Sequence, residues 1–111
     1  TYSNSAKVKI LGVNKETLLK EGAVSESVVR EMVIGAMQLG RAEYGIAISG
    51  VAGPGGGSKE RPVGTVCFAL GNSEKIITST MHFEGDRDDV RNQSVIYAFT
   101  EINNFLKTLQ N

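Results

Sequence analysis

From Ser49 to Val63 the chain reads SGVAGPGGGSKERPV, and this stretch limits the fold more than any other. Gly50, Gly53, Gly55, Gly56 and Gly57, with Pro54 and Pro62, leave no room for a helix or a strand. It is therefore a long loop between two β-type segments. Tyr44–Ile48 (YGIAI) before it is short, apolar and bounded by glycine, which predicts a buried strand. Gly64–Leu70 (GTVCFAL) after it is rich in β-formers, ends at a Gly71-Asn72-Ser73 turn, and pairs as a hairpin with Lys75–Phe83.

Helices flank this β core. Asn14 can cap a helix over 15–21, and Gly22 can stop it. Ser25 caps a second helix running to about Leu39, whose apolar stripe is Val28, Val29, Met32, Val33, Ala36 and Met37; Gly40 ends it. Asp86 caps a third, with Asp88 and Asp89 in its first turn. Its core face is Val90, Tyr97, Ala98, Ile102, Phe105, Leu106 and Leu109. The order α–α–β–loop–β–β–α predicts an α/β fold: a single-domain layered sandwich with helices packed on a mixed sheet and a glycine-rich loop after a buried strand.

Charge and composition narrow the function classes. The 111 residues carry 12 Lys+Arg against 12 Asp+Glu, a net charge of +0, so the chain lacks the basic excess of a phosphate-backbone binder and no nucleic-acid partner is expected. Cys67, the single cysteine, has no internal disulfide partner, and no Cys/His cluster surrounds the single histidine, His82, so no metal is expected. No apolar run approaches the ~20 residues that span a bilayer, and Thr1 does not open a signal peptide. A cytoplasmic domain without a membrane partner is the expectation.

The loop leaves the carboxyl end of a strand, where α/β sheets bind ligands. Its glycines let backbone approach a ligand and turn N–H groups inward as an anion nest. Lys59 and Arg61 place positive charge near its rim. It is neither a Walker A sequence nor a GxGxxG helix start, so a plain flexible connection stands beside the binding reading. Ser49 can point a hydroxyl into the crevice or merely satisfy loop backbone. Arg87 can pair its guanidinium with free helix N–H groups to hold an anion, or form a surface ion pair with Asp88 or Glu84. Lys7 by default is a solvated lysine; it can serve as a base only if burial or neighbours lower its pKa. Tyr2, Ser3 and Asn4 say little alone. His82 reads as a packed or edge histidine and Cys67 as core.

The run Ser49–Leu70 (SGVAGPGGGSKERPVGTVCFAL) resembles the signature loop of the CinA C-terminal domain family, the bacterial nicotinamide-nucleotide amidohydrolases, or nicotinamide mononucleotide deamidases. TYSNSAK at 1–7 resembles that family's Tyr-Ser-Asn-x-x-Lys segment, and Leu11–Val13 its Leu/Ile-Gly-Val. Gly22–Glu26 (GAVSE) and Gly85–Asp88 (GDRD) resemble its turn before the second helix and its late helix start. The resemblance implies hydrolysis of the nicotinamide mononucleotide carboxamide to nicotinic acid mononucleotide and ammonia, without metal or redox cofactor. It implies Lys7 as the catalytic lysine and Ser49 as the hydroxyl opening the glycine loop. Tyr2, Ser3 and Asn4 fall at the active-site edge, Gly50, Ala52, Gly53 and Gly55 around the substrate, and Arg87 at its phosphate.

The family's Glu-Ser-x-Thr-Gly-Gly segment, similar to a nucleophile-bearing turn, does not occur in this sequence. We therefore expect residues 1–111 to be one such amidohydrolase domain, incomplete at its N-terminus, with an apolar face left uncovered. The apolar helix faces and the family's habit lead us to expect a homo-oligomer. A nucleotide-binding module without turnover, or an accessory domain tied to competence or DNA damage, are the alternatives.

Overall fold

The computed structural model describes residues 7–8 and 11–109. Lys7 and Val8 are helical. Helix α1 spans Lys15–Glu21, with the Asn14 side chain accepting from the Glu16 N–H at 2.8 Å. Gly22 leaves it at φ 81°, and its N–H closes on Leu18 O. Helix α2 spans Glu26–Gly40, capped by Ser25, whose Oγ accepts from Val28 N–H at 3.2 Å. The expected stop at Gly40 falls one residue late: Gly40 stays helical and Arg41 takes the left-handed turn, at φ 50°. The reversal into β1 begins there, so that position, not the glycine, carries the strain.

Three strands follow, β1 Tyr44–Gly50, β2 Thr65–Asn72 and β3 Ile76–His82, in the order β1-β2-β3. Both pairings are antiparallel, where a mixed sheet was expected. Asn72 makes the β2–β3 turn, its side chain accepting from the Glu74 and Lys75 N–H groups. β2 is central and buried from Thr65 to Gly71. The expected buried strand β1 is instead an edge, with only Ala47 buried. An apolar run of this length shows that a strand is favourable there, but not how many of its faces are covered.

Alternation splits the core between the two faces of the sheet. Ala47, Cys67 and Ala69 meet Val28, Val29, Val33 and Met37 of α2 on one face. A Cβ on Gly35 would run into the Leu11 backbone carbonyl, so the chain before α1 lies directly against α2 there. On the other face Val66 and Phe68 meet helix α3, Arg87–Leu109, through Val90 and Ala98. Phe68, Tyr97 and Phe83 form an aromatic trio, with Phe68 and Tyr97 centroids 4.6 Å apart. The Tyr97 hydroxyl donates to Ser79 Oγ at 2.9 Å.

The α3 core face is shorter than expected. Val90, Ala98 and Phe105 are buried and Tyr97 and Ile102 half-buried, whereas Leu106 and Leu109 are exposed. A helix of 23 residues is ~34 Å long and a strand of 8 residues ~26 Å, so the last turns of α3 overrun the sheet. Ile46 and Ile48, on the α3 face of β1, are also exposed, since α3 lies over β2.

Candidate active site

Antiparallel order brings one end of the sheet together. Ser49 and Gly50 close β1, Thr65 opens β2 opposite Gly50's neighbour, and His82 ends β3 opposite Thr65. The N-termini of α2 and α3 point to the same end, as the bonds of Glu26 to β3 and of Arg87 to the glycine loop show.

The loop is a bonded structure, not a slack connection. Its neck is closed by Val51 N–H to Thr65 O at 2.9 Å and Gly64 N–H to Val51 O at 2.6 Å. On the returning arm a turn forms at 58–61, where Ser58 N–H donates to Arg61 O and Ser58 Oγ accepts from Arg61 N–H. The outgoing arm is held by Arg87, whose Nη1 donates to Gly53 O at 3.2 Å. Gly53 sits at φ 85° ahead of a cis bond to Pro54, and a Cβ there would stand 2.7 Å from Val63 Cγ1. Only glycine fits both that backbone and that contact.

Clefts flank the loop on both faces of the sheet. On the α3 side a cleft of about 490 Å³ is lined by Ala52, Gly53, Pro54, Val63, Arg87 and the carboxylates Asp86 and Asp88. Asp86 and Asp89 cap one another across the helix start: Asp89 N–H donates to Asp86 Oδ1 and Asp86 N–H to Asp89 Oδ2. That box consumes helix-terminal donors, so an anion at Arg87 would lie beside carboxylates rather than against a bare N-terminus. On the α2 side a cleft of about 410 Å³ is lined by Ser25, Glu26, Arg61, Thr65, Cys67, Thr80 and His82.

The α2-side cleft is ordered by directed hydrogen bonds. Thr78 and Thr80 both donate to the Glu26 carboxylate, at 2.8 and 2.6 Å. Those two bonds, Thr80 first, hold its pKa below the ordinary value, against a smaller opposing effect of burial. Thr80 spends its proton on Glu26, so the Cys67 thiol is the donor in the 3.5 Å contact between them. Burial pushes that thiol's pKa up, which keeps it protonated and unreactive. Thr65 Oγ1 donates to Pro62 O at 2.7 Å, and His82 Nδ1 stands 3.3 Å from the same hydroxyl.

Lys7 departs from its default: it is 5% exposed, and desolvation lowers its pKa. Its carbonyl accepts from Val13 N–H at 3.0 Å, tying it to the core beneath α2. Ser49 is half-buried, on the α2 face with Ala47 and opposite Cys67. Gly50, Ala52 and Gly53 line clefts at the loop, and Gly55 is exposed near its tip. Tyr2, Ser3 and Asn4 lie outside the described residues. Arg61 is turned away from the rim where the sequence put it, and its guanidinium binds Val24 O and Glu21 O. Glu26, Thr78, Thr80 and Thr65 were not singled out from sequence. The Thr-Ser-Thr alternation in β3 was the available signal, since period two places both threonines on one face. Among the described residues no cluster of three or more His, Cys, Asp or Glu can hold a metal ion, and no helix is long and apolar enough to cross a membrane.

A family model, the CinA C-terminal domain, matches residues 1–106. The chain belongs to this family. The nicotinamide-nucleotide amidohydrolase PncC of Escherichia coli K12 is 56% identical over 99 residues, covering 88% of this chain and 60% of that protein. A CinA-like protein of Fervidobacterium nodosum is 49% identical over 98 residues, covering 88% of this chain but 24% of its own. A CinA superfamily protein from Klebsiella pneumoniae superposes with a TM-score of 0.93 at 42% identity, covering 97% of this chain and 68% of that one. A competence/damage-inducible protein from Agrobacterium tumefaciens gives 0.91 at 37%, covering 95% and 65%. The CinA domain seen here thus spans about a quarter to two-thirds of these relatives.

Proposed function

We propose that this chain carries the lysine, hydroxyl and glycine loop of an amidohydrolase acting on the carboxamide of nicotinamide mononucleotide. The observation that carries the reading is the burial of Lys7, whose desolvation lowers its pKa, the direction in which a lysine must move to act as a base. The name of the 56% identical relative supplies the substrate class.

The chemistry is acyl transfer. A serine hydroxyl, from a Glu-Ser-x-Thr-Gly-Gly segment that this sequence does not contain, attacks the amide carbon as Lys7 takes its proton. Ser49 and loop N–H groups stabilise the oxyanion. Lys7 returns the proton to the departing amine, releasing ammonia, and water then hydrolyses the acyl ester to nicotinic acid mononucleotide. Tyr2, Ser3 and Asn4 border the substrate, Gly50, Ala52, Gly53 and Gly55 surround it, and Arg87 meets its phosphate from the α3-side cleft. No metal or redox cofactor takes part in this scheme. The protein works in the cytoplasm as a homo-oligomer.

Ammonia release from nicotinamide mononucleotide tests the reading, measured on this chain and on a form that carries a Glu-Ser-x-Thr-Gly-Gly segment ahead of it. Turnover in the longer form alone supports the scheme. Turnover by the 111-residue chain moves the nucleophile to a residue present here, Ser49 first. Saturable binding without turnover in either form favours a nucleotide-binding module.

A further inference from the structure

Arg61 reaches away from the loop that contains it. Its Nε donates to Val24 O at 2.5 Å and its Nη2 to Glu21 O at 2.6 Å, across 37 and 40 residues of sequence. Glu21 is the last residue of α1, where carbonyls have no partner within the helix. The planar guanidinium therefore caps the C-terminus of α1 and binds the chain just ahead of α2 with one rigid fork, which a lysine ammonium cannot reproduce. At its backbone the same residue closes the turn at 58–61, through Arg61 O to Ser58 N–H and Arg61 N–H to Ser58 Oγ. Pro62 follows, its carbonyl held by the Thr65 hydroxyl. The returning arm is thereby fixed to the α1–α2 turn on one side, while Arg87 fixes the outgoing arm at Gly53 on the other.

We propose that Arg61 is the positioning residue of the glycine loop: by gripping the carbonyls of Glu21 and Val24 it holds Ser49–Gly57 in the form that receives the nucleotide. This rests on the substrate reading above. Binding is strongest when the loop is already ordered, because a slack loop must lose its freedom on association. Arg61 has no direct contact with ligand in this role, so its loss acts through the loop alone.

The test compares the wild-type chain with Arg61→Ala and Arg61→Lys. Amide hydrogen exchange across Gly53–Val63 is read without nucleotide, and nicotinamide mononucleotide affinity by calorimetry. We expect Arg61→Ala to speed exchange at Ser58 and its loop neighbours and to weaken affinity by about tenfold or more. Arg61→Lys, which keeps charge but not the fork, should fall between; should Arg61→Ala fail to fold, the lysine variant carries the comparison. Unchanged loop exchange overturns the strap, and a loosened loop with unchanged affinity overturns its positioning role. A wild-type chain that binds no nicotinamide mononucleotide overturns the substrate reading instead, and the exchange comparison still decides whether Arg61 holds the loop.

Discussion

Burial changes what a lysine can do. In water Lys7 would hold its proton up to about its ordinary pKa of 10.5; with 5% exposure the charged form is disfavoured and the pKa falls. Burial thus moves the Lys7 amine in the direction that base catalysis requires. In any form that turns over nicotinamide mononucleotide, we expect kcat to rise with pH on a limb centred below 10.5. Lys7→Arg, which cannot release its proton, should lower kcat by roughly 10²–10⁴-fold with circular dichroism unchanged. A Lys7→Arg enzyme that keeps its rate would remove Lys7 from the chemistry.

Glu26 shows the opposite sign. Its folded pKa lies below the ordinary 4.5 because Thr80 and Thr78 donate to the carboxylate. The stabilisation is present above the unfolded value and lost as pH falls through the folded one. Glu26→Gln should therefore unfold at a lower temperature than wild type at pH 7, with the gap closing as pH drops below about 4.5. A gap that stays constant down to acid pH would mean the carboxylate's charge contributes nothing.

At the scale of elements, local signals were legible and long-range ones were not. Asn14, Ser25 and Asp86 cap as read because a cap needs only its own next three residues. The long loop was legible from glycine and proline alone. Its stiffness was not, since the bonds that provide it come from Arg61 and Arg87, 37 to 40 and 34 residues from their partners. The edge position of β1 was hidden for a related reason: coverage of Ile46 and Ile48 depends on where α3 lies, which the strand's own sequence does not encode. The burial of Lys7 was hidden for the same reason, since the polar residues around it in sequence give no sign of a covered side chain.

The loop carries its own prediction. Gly53→Ala forces a left-handed backbone on alanine and a contact with Val63, and should cost about 1–3 kcal/mol of stability while displacing the carbonyl that Arg87 binds. Chemical denaturation measures the first. Substrate affinity falling together with it would tie the Gly53–Arg87 bond to binding, and unchanged affinity would separate them.

For the molecule as a whole, one face that the described residues leave largely open is apolar and runs along α3. Val95, Phe99, Ile102, Leu106 and Leu109 recur along α3 at alternating spacings of four and three, the pattern of a seam that receives another helix. Phe99 is 70% exposed, and Ile46 and Ile48 lie open on the neighbouring part of the sheet. Isolated exposed leucines are ordinary, but a stripe of this kind beside a strand edge that no other described residue pairs favours association. A second copy of α3 matches the stripe by symmetry, each chain offering the same residues to the other. We therefore expect the 111-residue chain to elute above monomer mass and to dissociate on dilution. Phe99→Glu should shift it to monomer with little change in unfolding temperature, because a side chain this exposed contributes little to its own fold. A wild-type chain that is monomeric across the dilution series would leave the stripe without a homotypic partner. An oligomer that survives Phe99→Glu would place the interface elsewhere, with the edge of β1, unpaired among the described residues, the next surface to alter.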